Sequence, residues 1–140
     1  MAFILIADGD ESICRRAADA LTAAGHTCGC VADAGQARTL LRWRDPELIL
    51  MDSDLAALSA GALLGELQPH RRDIPLIMLS AVAGSGDGTG KVVHGVQDCI
   101  RKPFDPRFLV WRVEHALEVY AAKARRAQLE ERREALPYGR

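Results

Sequence analysis

The sequence has no long apolar run, no excess of charge of one sign and no Cys-x-x-Cys motif. No apolar run approaches the length of about 20 residues that spans a bilayer, so we expect a soluble protein without a membrane partner. The formal net charge is -1, so no overall field attracts nucleic acid or anionic lipid. The N-terminus lacks a basic region followed by an apolar stretch, so we also expect no secretion signal and a cytoplasmic location.

Four cysteines occur in the chain, and their spacing predicts free thiols in a reducing compartment. Cys28 and Cys30 could in principle offer two thiolates to zinc. However, His26 is the only other soft ligand nearby, and the segment alternates like a strand. We therefore interpret the cysteines as small thiols rather than as metal ligands. The four are Cys14, Cys28, Cys30 and Cys99.

Short apolar runs alternate with helical periodicity along the 140 residues, which suits one domain with a core of ordinary size. This alternation is typical of an α/β fold in which helices cover both faces of a parallel sheet. We expect a doubly wound sheet of five strands. The predicted strands are residues 3–7, a run ending at Val31, residues 48–51, residues 73–79 and a short run around residues 99–101.

Capping and stop signals separate these strands from the predicted helices. Aspartate and serine residues can accept hydrogen bonds from the first turn of a helix, and glycine can close a helix in a left-handed conformation. Proline suits the first helical position and cannot continue a helix that precedes it. The expected caps and stops are Gly25, Asp33, Pro46, Ser59, Asp105 and Pro106.

Polar residues stand at the ends of four predicted strands: Asp8, Asp52, Ser80 and Lys102. Because the carboxyl ends of parallel strands converge on one crevice, we expect these side chains to meet. A carboxylate beside a core is costly unless a metal ion or a lysine pairs with it. One such aspartate could simply cap a loop, but a set with one member at each strand end predicts a functional site.

Four segments resemble the motifs of bacterial response-regulator receiver domains of the chemotaxis-regulator type. They are Ile4-Leu-Ile-Ala-Asp8, Leu48-Ile-Leu-Met-Asp52, Pro75-Leu-Ile-Met-Leu-Ser80-Ala81 and Lys102-Pro103-Phe104, and they follow the family's order. The resemblance covers roughly residues 3–120. It implies a flavodoxin-like sheet of order 2-1-3-4-5, with a receiver domain at residues 1–120 and a helical extension or tail at residues 121–140.

The resemblance also implies roles for single residues. Asp52 would accept a phosphoryl group from a histidine kinase or a histidine phosphotransfer protein, and Ser80 and Lys102 would contact that group. The domain would be a phosphoacceptor and not an enzyme. It would signal to a protein partner on the face of its fourth helix, fifth strand and fifth helix. The implied Mg²⁺ ligands are Asp8, Asp10, Asp52 and Asp54, the last through its main-chain carbonyl or its side chain.

Three positions depart from the family's pattern. Gly9 interrupts the usual pair of adjacent acids, although it could let the backbone bend so that Asp10 reaches the metal. Ala56-Ala57 stands where the family has Pro-Gly after the acceptor. Cys99 occupies the switch position, three residues before the lysine, where the family places an aromatic side chain. A tyrosine-type switch therefore cannot operate.

Two other functions are compatible with these residues. A pseudo-receiver, which binds a partner without phosphorylation, would explain Gly9 and Cys99. A phosphatase of the haloacid-dehalogenase type would use the Asp52-Ser-Asp54 segment, Ser80 and Lys102. That family needs a later strand ending in an acidic pair, whereas only helix follows Lys102 here, and its Asp-x-Asp motif follows the first strand.

Two further segments remain outside the core pattern. The glycine-rich residues 84–90 predict a loop on the output face, which either becomes ordered on phosphorylation or is a loose surface loop. A phosphate-binding loop is rejected there because Ser85 and Val92 occupy its key positions. The final helix continues into residues 121–140 with a weak heptad stripe, which is compatible with a homodimer, a docking helix or a solvated tail. The stripe is Leu117, Tyr120, Ala124 and Ala127.

Overall fold

The computed structural model describes residues 1–55, 74–80 and 96–135. Five strands are present in these ranges: β1 (Phe3–Ala7), β2 (Thr27–Val31), β3 (Leu48–Asp52), β4 (Leu76–Ser80) and β5 (Val96–Arg101). The helices are α1 (Glu11–Ala23), α2 (Ala34–Leu41) and a C-terminal helix (Pro106–Ala135).

All four strand pairings are parallel, and the sheet order is β2-β1-β3-β4-β5. The predicted sheet and its order are therefore confirmed. The central strands are buried on both sides, because helices cover the two faces of a parallel sheet. Their carboxyl ends lie along one edge, where Asp8 and Asp52 follow or end neighbouring strands.

Alternate residues of the strands pack into two separate apolar clusters. Ile4, Ile6 and Leu50 point toward α1 and the C-terminal helix, where they meet Leu21 and Val113. On the opposite face, the neighbouring strand residues pack around α2; these are Leu5, Ala7, Ile49 and Met51, which meet Ala37. Because side chains alternate across a strand, a single all-apolar run supplies both clusters. Each fully buried Leu or Ile side chain contributes about 1.5–3 kcal/mol.

The caps predicted at Gly25, Asp33 and Asp105 are confirmed. Helix α2 already ends at Leu41, ahead of the stop predicted at Pro46. The cap of α1 is Asp10, which was expected as a metal ligand. Asp10 accepts a hydrogen bond from the Ser12 amide at 2.9 Å, and Asp33 accepts one from Gln36 at 2.8 Å. Gly25 adopts a φ of 98° just after α1, in the left-handed region that favours glycine. The C-terminal helix starts at Pro106, and the preceding residue, Asp105, accepts a hydrogen bond from the Arg107 amide at 2.8 Å.

The bounds of three strands differ from the prediction. Strand β3 includes Asp52, which was expected just after the strand. Strand β4 starts at Leu76 rather than at residue 73, because Pro75 has no N–H group to donate to a sheet. It also includes Ser80, which was expected to follow the strand. Strand β5 begins at Val96, three residues earlier than predicted, because the polar side chains Gln97 and Asp98 hid an edge strand.

Several predictions lie outside the described residues. These are the helix expected from Ser59, the turn at Ala56-Ala57 and the glycine-rich segment 84–90. The C-terminal helix passes through residue 120 without interruption, so the proposed boundary between domain and extension falls within one helix. No helix in residues 1–55, 74–80 or 96–135 is both long and apolar enough to cross a membrane.

Candidate functional site

Three charged side chains meet at the carboxyl end of the sheet. Lys102 directly follows β5, and its Nζ lies 2.6 Å from Oδ2 of Asp8. The same nitrogen donates a hydrogen bond to Oδ1 of Asp52 at 2.7 Å. One ammonium group therefore bridges two carboxylates that come from the adjacent strands β1 and β3. The structure thus brings together Asp8, Asp52 and Lys102, three of the four residues predicted to converge. We refer to these three residues as the acidic cluster.

The members of the acidic cluster are buried to different degrees. The side chain of Asp8 is 3% exposed, that of Lys102 is 11% exposed and that of Asp52 is 16% exposed. Burial alone would lower the pKa of Lys102, but the hydrogen bonds and the charges of Asp52 and Asp8 outweigh it and raise that pKa above its usual value. Lys102 is therefore a permanent cation at neutral pH, and Asp52 is the more accessible carboxylate.

The two oxygens of Asp8 have different surroundings. Oδ1 accepts a hydrogen bond from the Asp10 amide at 2.9 Å. Oδ2 is buried and faces the Lys102 ammonium group, and no other group in residues 1–55, 74–80 and 96–135 donates a hydrogen bond to it. A buried carboxylate oxygen with spare acceptor capacity fits a cation, because carboxylates are the ligands that Mg²⁺ prefers in proteins.

Ser80 joins the site through its position at the end of β4. Ser80 is 1% exposed, and its main-chain carbonyl oxygen accepts a hydrogen bond from the Lys102 amide at 2.7 Å. Its neighbour Leu79 pairs in register with Asp52 on β3. Ser80 therefore lies on the strand between the acceptor candidate and the lysine, as the sequence predicts.

Asp10 and Asp54 occupy different roles from the acidic cluster. The Oδ1 of Asp10 accepts a hydrogen bond from the Ser12 amide, and hydrogen bonds from the side chain and the amide of Ser12 hold the pKa of Asp10 below its usual value. Asp54 is exposed, and its amide donates to Oδ2 of Asp52 at 3.2 Å. Within the described ranges, no group of three acidic, histidine or cysteine side chains is arranged to hold a metal.

Sequence reasoning missed one neighbour of the site. The thiol of Cys14, the fourth residue of α1, donates a hydrogen bond to the main-chain carbonyl of Asp8 at 3.4 Å. Burial raises the pKa of this thiol to about 12, with smaller contributions from Cys30 and Asp8. Cys14 therefore supports the backbone of Asp8 as a neutral donor. An apolar cysteine at that spacing gives no sequence signal for such a contact.

The predicted switch position lies at the edge of the sheet. Cys99 is exposed on β5, and its amide donates to the Asp98 side chain at 2.8 Å. Asp98 also pairs with Arg112 of the C-terminal helix. The guanidinium of Arg112 in turn lies over the rings of Phe108 and Trp111. This helix therefore carries an exposed aromatic surface beside β5, which the sequence analysis did not identify.

Comparison with known sequences supports one family. A sequence model of the response regulator receiver domain matches residues 4–114. The phosphate regulon transcriptional regulatory protein PhoB of Pseudomonas aeruginosa is 36% identical over 116 residues, which cover 81% of this chain and 51% of that protein. The DNA-binding response regulator MtrA of Mycolicibacterium smegmatis is 30% identical over 114 residues, with 81% and 50% covered. The chain spans about half the length of these curated relatives.

Comparison with solved structures supports the same family. NtrX from Brucella abortus in complex with ADP superposes with a TM-score of 0.81 at 30% identity, covering 94% of this chain and 29% of that one. A CheY-like receiver domain protein from Methanospirillum hungatei has a TM-score of 0.74 at 24% identity, with 88% and 98% covered, and shows the fold alone. With its sheet order and its family match, the chain belongs to the response regulator receiver domains, as its motifs predict.

Proposed function

We propose that this chain accepts a phosphoryl group on Asp52 from a phosphohistidine of a histidine kinase or a histidine phosphotransfer protein. The observation that carries the proposal is the bridge from Lys102 to Asp52 and Asp8 at the carboxyl end of the sheet. Asp52 is the acceptor because its carboxylate is the more exposed of the two. The buried Asp8 instead holds negative charge beside it.

Transfer would form a bond between an oxygen of Asp52 and phosphorus while the bond from phosphorus to the histidine nitrogen breaks. Anions approach one another in this reaction, so fixed positive charge lowers the barrier. Lys102 supplies a cation whose raised pKa keeps it protonated. We assign to the buried Ser80 a hydrogen bond to the transferred group, which its place between Asp52 and Lys102 supports.

The acidic cluster also supports a Mg²⁺ site. Asp8 and Asp52 would hold the ion, with Asp54 contributing its main-chain carbonyl or its side chain. When bound, Mg²⁺ neutralises charge on the phosphoryl oxygens. Asp10 is engaged as the cap of α1 through the Ser12 amide, so its carboxylate is the less available ligand. We therefore propose that Asp8 and Asp52 are the principal ligands and that Asp10 is a secondary one.

Incubation with a small phosphodonor tests this function directly. The protein is treated with Mg²⁺ and acetyl phosphate or phosphoramidate, and its intact mass is recorded. We expect a phosphoryl-sized gain that disappears without Mg²⁺ and in Asp52→Asn. Asp19→Asn, which alters an exposed carboxylate on α1 away from the acidic cluster, is the matched control and should retain the gain. No gain in folded protein would contradict the proposal.

A pseudo-receiver is the second candidate, and the engagement of Asp10 as the cap of α1 favours it. Gly9 and Cys99 point in the same direction. In that case the domain binds its partner whether or not Asp52 is modified. Absence of any phosphoryl gain, with unchanged partner binding by Asp52→Asn, would distinguish this candidate from the first.

The exposed aromatic surface beside β5 supports a partner on this face. Phe108 and Trp111 are 43% and 60% exposed, and Trp111 stacks on His115. We propose that this surface receives the downstream protein partner.

The same helix, which is largely exposed over residues 118–133, also supports a homodimer. We place this signalling in the cytoplasm, where a histidine kinase would deliver its phosphoryl group.

A further inference from the structure

A groove opens between α2 and the sheet, outside the acidic cluster. Its volume is about 630 Å³, which is in the range of side-chain and small-ligand sites. Apolar side chains from β1, β2, α2 and the turn that follows α2 line it. They are Phe3, Val31, Leu40 and Trp43.

Gly29 on β2 shapes the groove. A Cβ atom at this position would lie 3.0 Å from Cδ1 of Leu40 and 3.2 Å from Cζ of Phe3, so any side chain there would displace both groups. The polar groups of the walls are satisfied locally. Asp33 accepts a hydrogen bond from the Gln36 amide at 2.8 Å as the cap of α2. An occupant would therefore meet chiefly apolar surface.

The rim of the groove is aromatic and basic. Trp43 is 86% exposed. The Arg44 guanidinium lies 4.1 Å from the centroid of the Phe3 ring. Arg44 is exposed, and so is Arg42, two residues earlier in the chain. The exposed indole and the two guanidinium groups present apolar surface and positive charge side by side, which complements an acidic partner that carries an apolar side chain.

The adjacent strand edge adds a second feature. Strand β2 is the outermost strand on its side of the described sheet, where it pairs only with β1. Hydrogen bonds of 2.8 and 3.0 Å direct the Thr27 amide and the Val31 carbonyl toward β1. Because backbone groups alternate between the two edges, those of Cys28 and Cys30 face outward. An open edge of this kind can accept an extended segment.

We propose that the groove and the outer edge of β2 bind an extended acidic segment of a partner protein. One large apolar side chain of that segment would enter the groove beside Leu40 and Trp43, while its carboxylates pair with Arg42 and Arg44. The surface is separate from the phosphoacceptor site, so the inference does not depend on the proposed function. Its concave shape suits a peptide side chain better than a flat lipid surface.

Indole resonances in ¹⁵N-labelled protein test this proposal, because the chain has two tryptophans and one is an internal control. Three acetylated decapeptides serve as probes. One alternates Glu and Asp around a central Phe, one has Ala in place of that Phe, and one has Lys in place of the acids. We expect the first to shift the Trp43 signal and leave that of Trp111 unmoved. The other two should bind at least about tenfold more weakly.

Variants separate the groove from nonspecific attraction. Trp43→Ala and Arg42→Glu should each weaken binding of the acidic phenylalanine peptide by about tenfold, since both side chains are exposed and neither supports the core. Trp111→Ala should leave its affinity unchanged. A Trp43 signal unmoved by every peptide would overturn the proposal. So would equal binding of the lysine peptide, or a response only to vesicles of phosphatidylcholine and phosphatidylglycerol.

Discussion

Replacing Lys102 by methionine removes the ammonium group that bridges Asp8 and Asp52. Removing one member of a buried ion pair costs about 3–5 kcal/mol, because the remaining charge loses its counter-ion away from water. Lys102 and Asp52 keep 11% and 16% of their side-chain exposure, so water screens part of the effect. We therefore expect a loss of about 3 kcal/mol in the free energy of unfolding, which corresponds to about 10 °C in Tm.

The loss should depend on pH in a defined direction. The pKa of Lys102 is raised in the folded chain, so protonation of this group favours the folded state. That stabilisation is fully present below the pKa of an unfolded lysine, about 10.4, and disappears as the pH rises through the folded-state value. The difference between the original protein and Lys102→Met should therefore be constant near neutral pH and shrink above a pH of about 10.4.

Urea unfolding followed by circular dichroism measures this difference at each pH in the absence of Mg²⁺. Lys123→Met is the matched control, because Lys123 is an exposed lysine on the C-terminal helix, outside the acidic cluster. Its ammonium group lies 5.9 Å from the centroid of the Tyr120 ring. It should change the free energy of unfolding by less than about 0.5 kcal/mol. Equal, small effects of Lys102→Met and Lys123→Met would refute the reasoning that the acidic cluster needs its lysine.

Three further outcomes follow from single contacts. Asp10→Ala should lower the Tm at neutral pH, because hydrogen bonds from the side chain and the amide of Ser12 hold the folded-state pKa of Asp10 low. The difference in Tm should narrow as acid protonates Asp10, because that stabilisation is lost on acidification. Gly29→Val should destabilise by about 1–3 kcal/mol, because its side chain collides with Leu40, and an unchanged urea midpoint would contradict this. Cys14 should resist iodoacetamide at a pH of about 8 in folded protein and react in urea, as mapped by peptide mass.

Local patterns were sufficient to predict much of the fold. The apolar run from Phe3 to Ala7 and the capping residues Asp33 and Asp105 act within a few residues of the chain, so the sequence exposes them directly. The strand bounds were less accurate. The start of β4 depends on which N–H groups find a partner on β3, and polar residues at the edge strand β5 disguise its length.

The candidate site was predictable in its membership but not in its contacts. Asp8, Asp52 and Lys102 end separate strands, and the geometry of a parallel sheet forces such ends together. The sequence alone could not decide whether Asp10 would cap α1 or join the acidic cluster. Both roles suit an aspartate at that position, and the choice depends on where the backbone after Gly9 directs the side chain.

The sequence by itself determined the strand and helix periodicity, the caps at Asp33 and Asp105 and the set of residues that gather at the strand ends, because each follows from local chemistry or from a general rule of parallel sheets. Only the tertiary structure decided that Lys102 bridges Asp8 and Asp52, and that the Cys14 thiol holds the Asp8 carbonyl. It also placed Leu40 over Gly29 to shape a groove. These contacts depend on side chains that are distant along the chain and meet only when packing fixes the separation and orientation of whole elements.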